Sequence, residues 1–206
     1  DFSVENLQKI IDTHQPTEIY NLAAQSSVGV SFSKPIETVQ ENVMSVLSWL
    51  ESIKQSGKEI SFYQASSSEM YGKVDTMPIH INTPMHPVSP YAVSKMASHF
   101  MAINYRESYD LFVCNGILFN HESPRRGETF VTRKITRAVA KIATGSKEKL
   151  YLGNLDATRD WGFAKEYVES MWLMVQQNQS GDYVVATGVG ATVRDFAEAA
   201  FEHVGL

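Results

Sequence analysis

The sequence has little cysteine and no pattern of metal ligands. Cys114 is the single cysteine among the 206 residues, which excludes an intramolecular disulfide. One free thiol suits a reducing compartment, so we expect a cytoplasmic protein. Because Cys114 lies in an apolar run, we interpret it as a buried structural residue and not as a nucleophile. The histidines show no spacing typical of metal ligands, and we expect no metal.

Long apolar runs, internal repeats and low-complexity tracts are also absent. No run reaches the roughly 18 apolar residues of a transmembrane helix, so we expect no membrane partner. The net charge of −5 argues against a general nucleic-acid binder. No Gly-x-Ser-x-Gly motif occurs, which argues against a hydrolase of that class. The hydrophobic fraction of 43% is sufficient for a large core.

The glycine-rich turn that lets a backbone approach a dinucleotide pyrophosphate has no match in the sequence. Gly188 and Gly190 come late, lack the spacing and indicate an ordinary turn. Two interpretations stay open: either no dinucleotide binds, or a first βαβ unit lies ahead of Asp1. We favour the second, because the chain starts without methionine and resembles a fragment of a longer protein.

Helical and strand patterns alternate along the chain, which predicts parallel βαβ units and a doubly wound α/β sheet. The predicted strands are Glu18–Leu22, Ile60–Ala65, Phe112–Phe119, Leu150–Leu152 and Tyr183–Ala186. The predicted helices are a stripe that begins at Val4 and ends before Pro16, then Pro35–Gln55, Pro90–Tyr109, Phe130–Thr144, Ala164–Gln177 and Val193–Val204. Loops or turns are predicted for Gly72–Pro90, Asn120–Gly127 and Asp156–Trp161. Such sheets bind ligands beyond the carboxyl ends of their strands.

Four side chains of complementary chemistry are predicted to meet at one strand tip. Tyr91 and Lys95 are four residues apart, so they share one face of a helix. An ammonium beside a phenol stabilises the phenolate, which brings a base with an ordinary pKa of about 10 closer to neutral pH. Ser67 and Glu69 alternate along an extended segment and would point the same way. However, Ser66 and Glu69 also fit a helix capping box, so a structural role for Glu69 stays open.

Positive charge is concentrated in one stretch. Eight of the 18 lysines and arginines lie between Arg125 and Lys149, against two acidic residues, Glu128 and Glu148. The stretch is a candidate for anion binding, and the alternative is a solvated basic helix face.

Several longer stretches resemble one known family. They are Tyr63–Gly72, Ser89–Lys95, Asn104–Tyr109, Asn115–Gly127, Phe130–Ile135, Leu152–Asp156 and Arg159–Gly162. Together they resemble the extended short-chain dehydrogenase/reductase family that acts on nucleotide sugars, and within it most closely the GDP-mannose 4,6-dehydratases. The resemblance extends over essentially the whole chain. It implies a Rossmann-like NAD(P)-binding fold and a hydro-lyase activity.

The resemblance implies a role for each clustered residue. Tyr91 would remove the proton of the sugar 4-hydroxyl as hydride passes from C4 to NADP+, and Lys95 would lower the Tyr91 pKa and bind the nicotinamide ribose. Ser67, favoured over its neighbour Ser68 by alternation, would hydrogen-bond the C4 oxygen. Glu69 would remove the C5 proton, made acidic by the new 4-ketone, and help the 6-hydroxyl leave as water. Hydride return to C6 would give GDP-4-keto-6-deoxymannose, an intermediate of GDP-fucose biosynthesis.

The resemblance also implies where NADP and the substrate GDP-mannose bind. The implied cofactor-binding residues are Asp1, Phe2, Leu22, Ala23, Ala24, Gln25, Ser26, Tyr91, Lys95, His121 and Arg126. The implied substrate-binding residues are Asn120, Val131, Lys134, Gly153 and Arg159. Arginine and lysine suit a diphosphate through their charge and their multiple donors. Two features depart from the family: Ala23 stands where glycine is common, and the loop Val74–Met85 differs from the usual sequence.

We expect two parts in the chain. Residues 1–120 would form an N-terminally truncated NAD(P)-binding domain, and residues 121–206 would mainly bind the nucleotide sugar, with 164–186 returning to the first domain. The resemblance implies a homodimer or homotetramer, with helices Pro35–Gln55 and Tyr91–Tyr109 as the expected dimer faces. The alternatives are another nucleotide-sugar dehydratase, an epimerase or a non-catalytic fragment. Glu69 favours dehydration, because C4 epimerisation needs no base at C5.

Overall fold

The computed structural model describes residues 2–206, which divide into two compact units. Unit 1 contains the chain up to Leu118 together with Val168–Val185. Unit 2 contains Phe119–Tyr167 together with Ala186–Leu206. The functional assignment of the two parts stays a prediction. None of the described helices is long and apolar enough to cross a membrane.

The described residues form eight α-helices and seven β-strands. The helices are α1 (Val4–His14), α2 (Val28–Ser33), α3 (Pro35–Val39), α4 (Ser45–Ser56), α5 (Pro90–Tyr109), α6 (Val131–Ala143), α7 (Ala164–Val175) and α8 (Val193–Glu202). The strands are β1 (Glu18–Asn21), β2 (Ser61–Ser67), β3 (Val113–Leu118), β4 (Asn120–Glu122), β5 (Thr158–Phe163), β6 (Asp182–Val185) and β7 (Gly190–Thr192). A π-helical turn (Gln40–Met44) and a 3₁₀ turn (Ser68–Met70) complete the regular structure.

Unit 1 is built on a four-stranded sheet with the order β1-β2-β3-β6, in which every pair is parallel. The carboxyl ends of all four strands therefore lie at one edge. The register places four polar residues side by side across the sheet: Asn21, Gln64, Asn115 and Asp182. The predicted α/β class with a parallel sheet is confirmed. Among the described residues, β1 pairs with β2 alone.

The core of unit 1 is an apolar cluster contributed by α1, α4, α5 and the strands. Leu50 of α4, Phe62 of β2 and Val113 of β3 are fully buried in it. Gly57 ends α4 with φ of +63°, a left-handed conformation that glycine adopts without a steric penalty. The sequence pattern predicts that Gly57 closes this helix, and the structure confirms it.

The predicted helix Pro35–Gln55 is interrupted by the π-helical turn between α3 and α4. The extra residue in the turn rotates the following face. Asn42 is consequently buried, whereas Val39 is 41% exposed and Val43 only half-buried. The apolar stripe in the sequence predicts one buried face that includes Val39, Val43 and Val46, and this prediction is wrong before Val46. The short helix α2 ahead of this segment was not predicted.

Unit 2 contains a three-stranded sheet, β4-β5-β7, packed with α6 and α8 around Ile135, Val139 and Val193. Three predictions fail here. Residues 150–152 form no strand, because Leu150 and Leu152 pack against the α6/α8 core as irregular chain. The predicted turn Asp156–Trp161 is largely strand β5, and part of the predicted turn Asn120–Gly127 is strand β4.

Candidate active site

The tip of β2 carries the first two candidate catalytic residues. Strand β2 continues through Ser67, two residues beyond its predicted end, and the 3₁₀ turn follows at once. Ser67 caps that turn: its hydroxyl oxygen accepts the backbone N–H of Glu69 at 3.2 Å. The predicted capping box of Ser66 and Glu69 is therefore wrong. Because Ser67 acts as an acceptor, its own hydroxyl proton is left to donate to another group.

Helix α5 presents the other two candidate residues on one face, as predicted. Ser89 caps the helix by accepting the N–H of Ala92 at 3.1 Å, and Pro90 occupies its first turn. Tyr91 is 8% exposed and Lys95 is 6% exposed. The Lys95 ammonium lies 5.9 Å from the centroid of the Tyr91 ring. The local sequence thus brings a phenol and an ammonium together with little access for water.

Lys95 connects α5 to the tip of β2. Its ammonium donates a hydrogen bond of 2.9 Å to the backbone carbonyl of Ala65, two residues before Ser67. Burial disfavours the charged form and lowers the pKa of Lys95 to about 8. A buried ammonium with one neutral acceptor destabilises the fold, and such groups are concentrated at functional sites.

The segment after β1 lies at the same edge of the sheet, because β1 and β2 are adjacent and parallel. Within this predicted cofactor segment, Leu22, Ala23 and Ser26 are exposed and Ala24 is half-buried. The Gln25 side-chain amide donates hydrogen bonds to the Ser27 carbonyl and the Thr38 hydroxyl, each at 3.0 Å, which connects this segment to α3. Phe2, another predicted contact, is 43% exposed, and Asp1 lies outside the described residues.

Asn42 is a site residue that the sequence analysis missed. The π-helical turn buries its side chain, which accepts the Gln25 N–H at 2.8 Å and donates to the Ser94 hydroxyl at 2.9 Å. Asn42 therefore ties the segment after β1 to the helix that carries Tyr91 and Lys95. The available signal was a polar residue inside an apolar helical stripe.

In unit 2, β4 and the loop that follows it hold two predicted cofactor residues. The His121 ring stacks on Tyr167 at 4.7 Å, and its Nδ1 lies 2.8 Å from the Phe119 carbonyl oxygen. The Arg126 guanidinium lies over the Phe130 ring at 3.6 Å. Its Nε is 3.2 Å from the Glu122 carboxylate, within ion-pair range but not aligned for a hydrogen bond. Both side chains are thus held in place by an aromatic ring.

The predicted substrate residues are spread over unit 2. Asn120 lies on β4 opposite Trp161, and Val131 is the first residue of α6, a helix whose N-cap makes no side-chain hydrogen bond. Lys134 donates to the Tyr151 carbonyl at 2.6 Å. Gly153 and Arg159 are exposed. Arg159 donates a hydrogen bond to the Thr158 carbonyl at 2.8 Å. A Cβ atom added at Gly153 would have no atom within 4 Å.

Part of the basic stretch lines a cavity of about 340 Å³ in unit 2. Four of its cations face this cavity: Lys134, Arg137, Lys141 and Lys149. Two of them are paired with acids, Arg137 with Glu128 and Lys141 with Glu148. Elsewhere in unit 2, Asp160 neither braces Arg159 nor caps a helix, because its carboxylate accepts the backbone N–H groups of Thr187 and Gly188. Within residues 2–206, no cluster of three metal-ligating side chains occurs.

Comparison with known proteins decides the family. The family model described as GDP-mannose 4,6 dehydratase matches residues 3–206. The chain belongs to the GDP-mannose 4,6-dehydratase family. The predicted family resemblance is thus confirmed. The GDP-mannose 4,6-dehydratase of Yersinia enterocolitica is 54% identical over 98% of the chain, and GDP-mannose 4,6 dehydratase 2 of Arabidopsis thaliana is 55% identical over 98%. The chain spans 55% of the length of each of these relatives.

A solved structure with lower sequence identity shares the fold. RMD from Pseudomonas aeruginosa, complexed with NADPH, superposes with a TM-score of 0.93 at 25% sequence identity. The match covers the whole chain and 70% of the RMD chain. The likeness supports the predicted Rossmann-like, doubly wound class for this member of the GDP-mannose 4,6-dehydratase family.

Proposed function

We propose that this chain contributes the catalytic residues of an NADP-dependent GDP-mannose 4,6-dehydratase, which converts GDP-mannose to GDP-4-keto-6-deoxymannose and water. One observation carries the proposal. The buried ammonium of Lys95 lies beside Tyr91 and is hydrogen-bonded to β2 two residues before Ser67, with Glu69 in the turn that follows. A base, an activating cation, a hydroxyl and a carboxylate are all supplied by two adjoining elements.

The residues of unit 1 fit a nicotinamide cofactor. The buried cation Lys95 and the exposed segment Leu22–Ser26 occur on a sheet of the type that binds nucleotides beyond its carboxyl edge. When bound, the cofactor supplies the acceptor for the C4 hydride and returns that hydride to C6. The NADPH complex of the structurally similar RMD supports NADP as the form used.

Oxidation at C4 requires removal of the 4-hydroxyl proton, which we assign to the Tyr91 phenolate. Lys95 stabilises that phenolate by its positive charge, and the low exposure of both groups strengthens this effect. The free proton of the Ser67 hydroxyl is available to hydrogen-bond the C4 oxygen. Each of these groups is held by the backbone of β2 or by α5, so little reorganisation is needed.

Glu69 is the residue that we assign to dehydration. A 4-ketone acidifies the C5 proton, which a carboxylate can then take. Glu69 passes the proton that it takes from C5 to the 6-hydroxyl, which leaves as water, and the electron pair of the C5–H bond forms the C5–C6 double bond. A C4 epimerase needs no base at C5, so Glu69 supports dehydration over the epimerase alternative.

Unit 2 supplies the groups that we assign to GDP. Lys134 and Arg159 are cations suited to a diphosphate, and the uncapped start of α6 at Val131 presents backbone N–H groups that favour an anion. Asn120 and Gly153 complete the assigned set, whereas His121 and Arg126 are assigned to the cofactor. We also propose the domain roles predicted from the sequence. Residues 1–120 would bind NAD(P), and residues 121–206 would mainly bind the nucleotide sugar, with 164–186 returning to the first domain.

We also propose a homo-oligomer that uses the helices of unit 1. The α3–α4 segment exposes Ile36 at 73% and Met44 at 52%, and α5 exposes Phe100 at 52%. Exposed apolar side chains of this density on helices are typical of an interface. Light scattering that shows a monomer would reject this part of the proposal. The cytoplasmic location stays a prediction.

The activity is tested by incubating the protein with GDP-mannose and NADP+ and identifying the product. We expect a 4-keto-6-deoxy sugar nucleotide. Tyr91→Phe should abolish turnover with NADP+ affinity nearly unchanged, and Glu69→Gln should block water loss. Tyr109→Phe at the far end of α5 is the matched control and should remain active. A C4-epimerised product would favour an epimerase, and absence of both NADP+ binding and turnover would favour the non-catalytic alternative.

A further inference from the structure

The catalytic face of α5 continues beyond Tyr91 and Lys95 to His99. These three residues follow one another at intervals of four, so they form one stripe on the helix. Lys95 bonds to the Ala65 carbonyl, and one turn later His99 Nδ1 lies 3.1 Å from the hydroxyl oxygen of the next residue, Ser66. His99 is 3% exposed and Ser66 is 4% exposed. Lys95 and His99 thus contact consecutive residues of β2, Ala65 and Ser66, immediately before Ser67.

Ser66 is also anchored from the opposite side. Its hydroxyl oxygen lies 3.4 Å from Asn115 Oδ1, and Asn115 Nδ2 donates to Asp182 at 2.8 Å. The Asp182 carboxylate accepts both arms of the Arg106 guanidinium at 2.9 Å each. These contacts form a buried polar chain that starts at His99, crosses β2, β3 and β6, and returns to α5 at Arg106. Burial is the main cause that lowers the His99 pKa; the Asp182 carboxylate opposes this effect and the Arg106 guanidinium adds to it.

One proton arrangement satisfies every member of this chain. His99 Nδ1–H donates to Ser66, the Ser66 hydroxyl donates to Asn115 Oδ1, and the Asn115 amide donates to Asp182. Burial lowers the His99 pKa and favours the neutral imidazole, which makes this donation when its proton is on Nδ1. A leucine of similar volume would fill the same space without the desolvation cost of a polar ring, but it would leave Ser66 without its partner on α5.

We propose that His99 is a positioning residue, which acts through Ser66 to hold the tip of β2 in register with α5. The register sets two things at once: the place of the Ala65 carbonyl under Lys95, and the direction of the Ser67 hydroxyl. His99 itself contacts neither substrate nor cofactor in this account. The expected loss of turnover rests on the proposed dehydratase function. The expected effect of His99 on the Lys95 titration does not depend on any substrate.

The test compares His99→Leu with His99→Asn. Asparagine can place an N–H donor where Nδ1 stands, whereas leucine cannot. We expect His99→Leu to lower kcat about tenfold to a hundredfold, the loss expected for a displacement of about 1 Å, while KM for GDP-mannose stays within about twofold. His99→Asn should recover most of the loss. Ser66→Ala, which removes only the hydroxyl, should behave like His99→Leu and guards against a folding defect. His203→Leu, at an exposed histidine, is the control.

A second measurement tests the packing of α5 against β2 and does not depend on enzymatic activity. NMR titration of ε-¹³C-labelled lysines follows Lys95, whose pKa near 8 reflects its burial against β2. We expect this titration to move towards 10.5 in His99→Leu and Ser66→Ala and to stay in place in His99→Asn. An inactive wild-type protein would defeat the dehydratase proposal alone, because the Lys95 titration would still decide the inference. An unshifted Lys95 titration in folded His99→Leu and Ser66→Ala would overturn it.

Discussion

Replacing Lys95 by methionine is expected to abolish turnover without lowering the stability of the cofactor-free protein. Burial lowers the Lys95 pKa from 10.5 to about 8. At about 1.4 kcal/mol per pKa unit, holding this buried ammonium at neutral pH costs about 3 kcal/mol. Loss of its hydrogen bond leaves the Ala65 carbonyl unsatisfied, which costs about 1–3 kcal/mol. Methionine is unbranched and adaptable, so the net change should be a gain of about 0–2 kcal/mol.

The pH dependence gives this prediction its sign. The folded protein releases the Lys95 proton near pH 8, whereas the unfolded chain holds it until about pH 10.5. Between these values the unfolded state binds more protons, so the stability of the unsubstituted protein rises with pH. The cost of the buried charge is present in full below pH 8 and is gone above pH 10.5.

Urea unfolding of the protein and of Lys95→Met, at several pH values from neutral to about 10.5, measures the difference. Groups common to both proteins cancel. We expect the difference in unfolding free energy between the two proteins to shift by up to about 3 kcal/mol across this window, in favour of the protein with Lys95. A variant that is several kcal/mol less stable at neutral pH, or a difference that does not change with pH, would refute the assignment of Lys95 as a buried, destabilising cation.

Two further predictions concern the frame of unit 1. Gly116→Ala should destabilise by at least about 1–3 kcal/mol in thermal or urea unfolding, because its Cβ would lie within contact of the buried Tyr63 hydroxyl. Tyr63→Phe should restore part of that loss, and an unchanged Gly116→Ala protein would contradict the packing described. Arg106→Leu should cost about 1–3 kcal/mol, because it leaves the half-buried Asp182 carboxylate without its ion-pair partner. Adding Asp182→Asn should reduce the loss, and additive effects in this cycle would argue against the pair.

Elements with local start and stop signals were predictable from the sequence. Ser89 and Pro90 mark the beginning of α5, and Gly57 marks the end of α4. The shared face of Tyr91 and Lys95 followed from their spacing alone. In each case the determining interactions lie within one turn of helix, where short-range rules are strongest.

Features that depend on distant contacts could not be predicted. The π-helical turn that buries Asn42 is stabilised by hydrogen bonds to Gln25 and Ser94, which are remote in sequence. The strands of unit 2 exist through pairing with each other. β4 and β7 have three residues each, too few to show alternation, and the six residues of β5 show no alternating burial. The apolar pattern of Leu150–Leu152 predicts a strand. Its leucine side chains instead pack against the α6/α8 core, and the segment forms no strand pairing.

The residue types of the candidate site were predicted from the sequence, but the contacts that hold these residues in place were not. The resemblance to the family assigned roles to Ser67 and Glu69, whereas the structure shows that a turn, and not strand alternation, sets their relation. The contact between Ser66 and His99 could not be predicted, because a serine and a histidine 33 residues apart become partners only when α5 packs on β2.

The most direct test of the account follows the hydride. GDP-mannose labelled with deuterium at C4 is incubated with the protein and NADP+, and the product is examined by NMR and mass spectrometry. The account predicts that the label appears at C6 of the 4-keto-6-deoxy product and that no reduced cofactor accumulates. Release of labelled NADPH, or a deoxy product without label at C6, would contradict it.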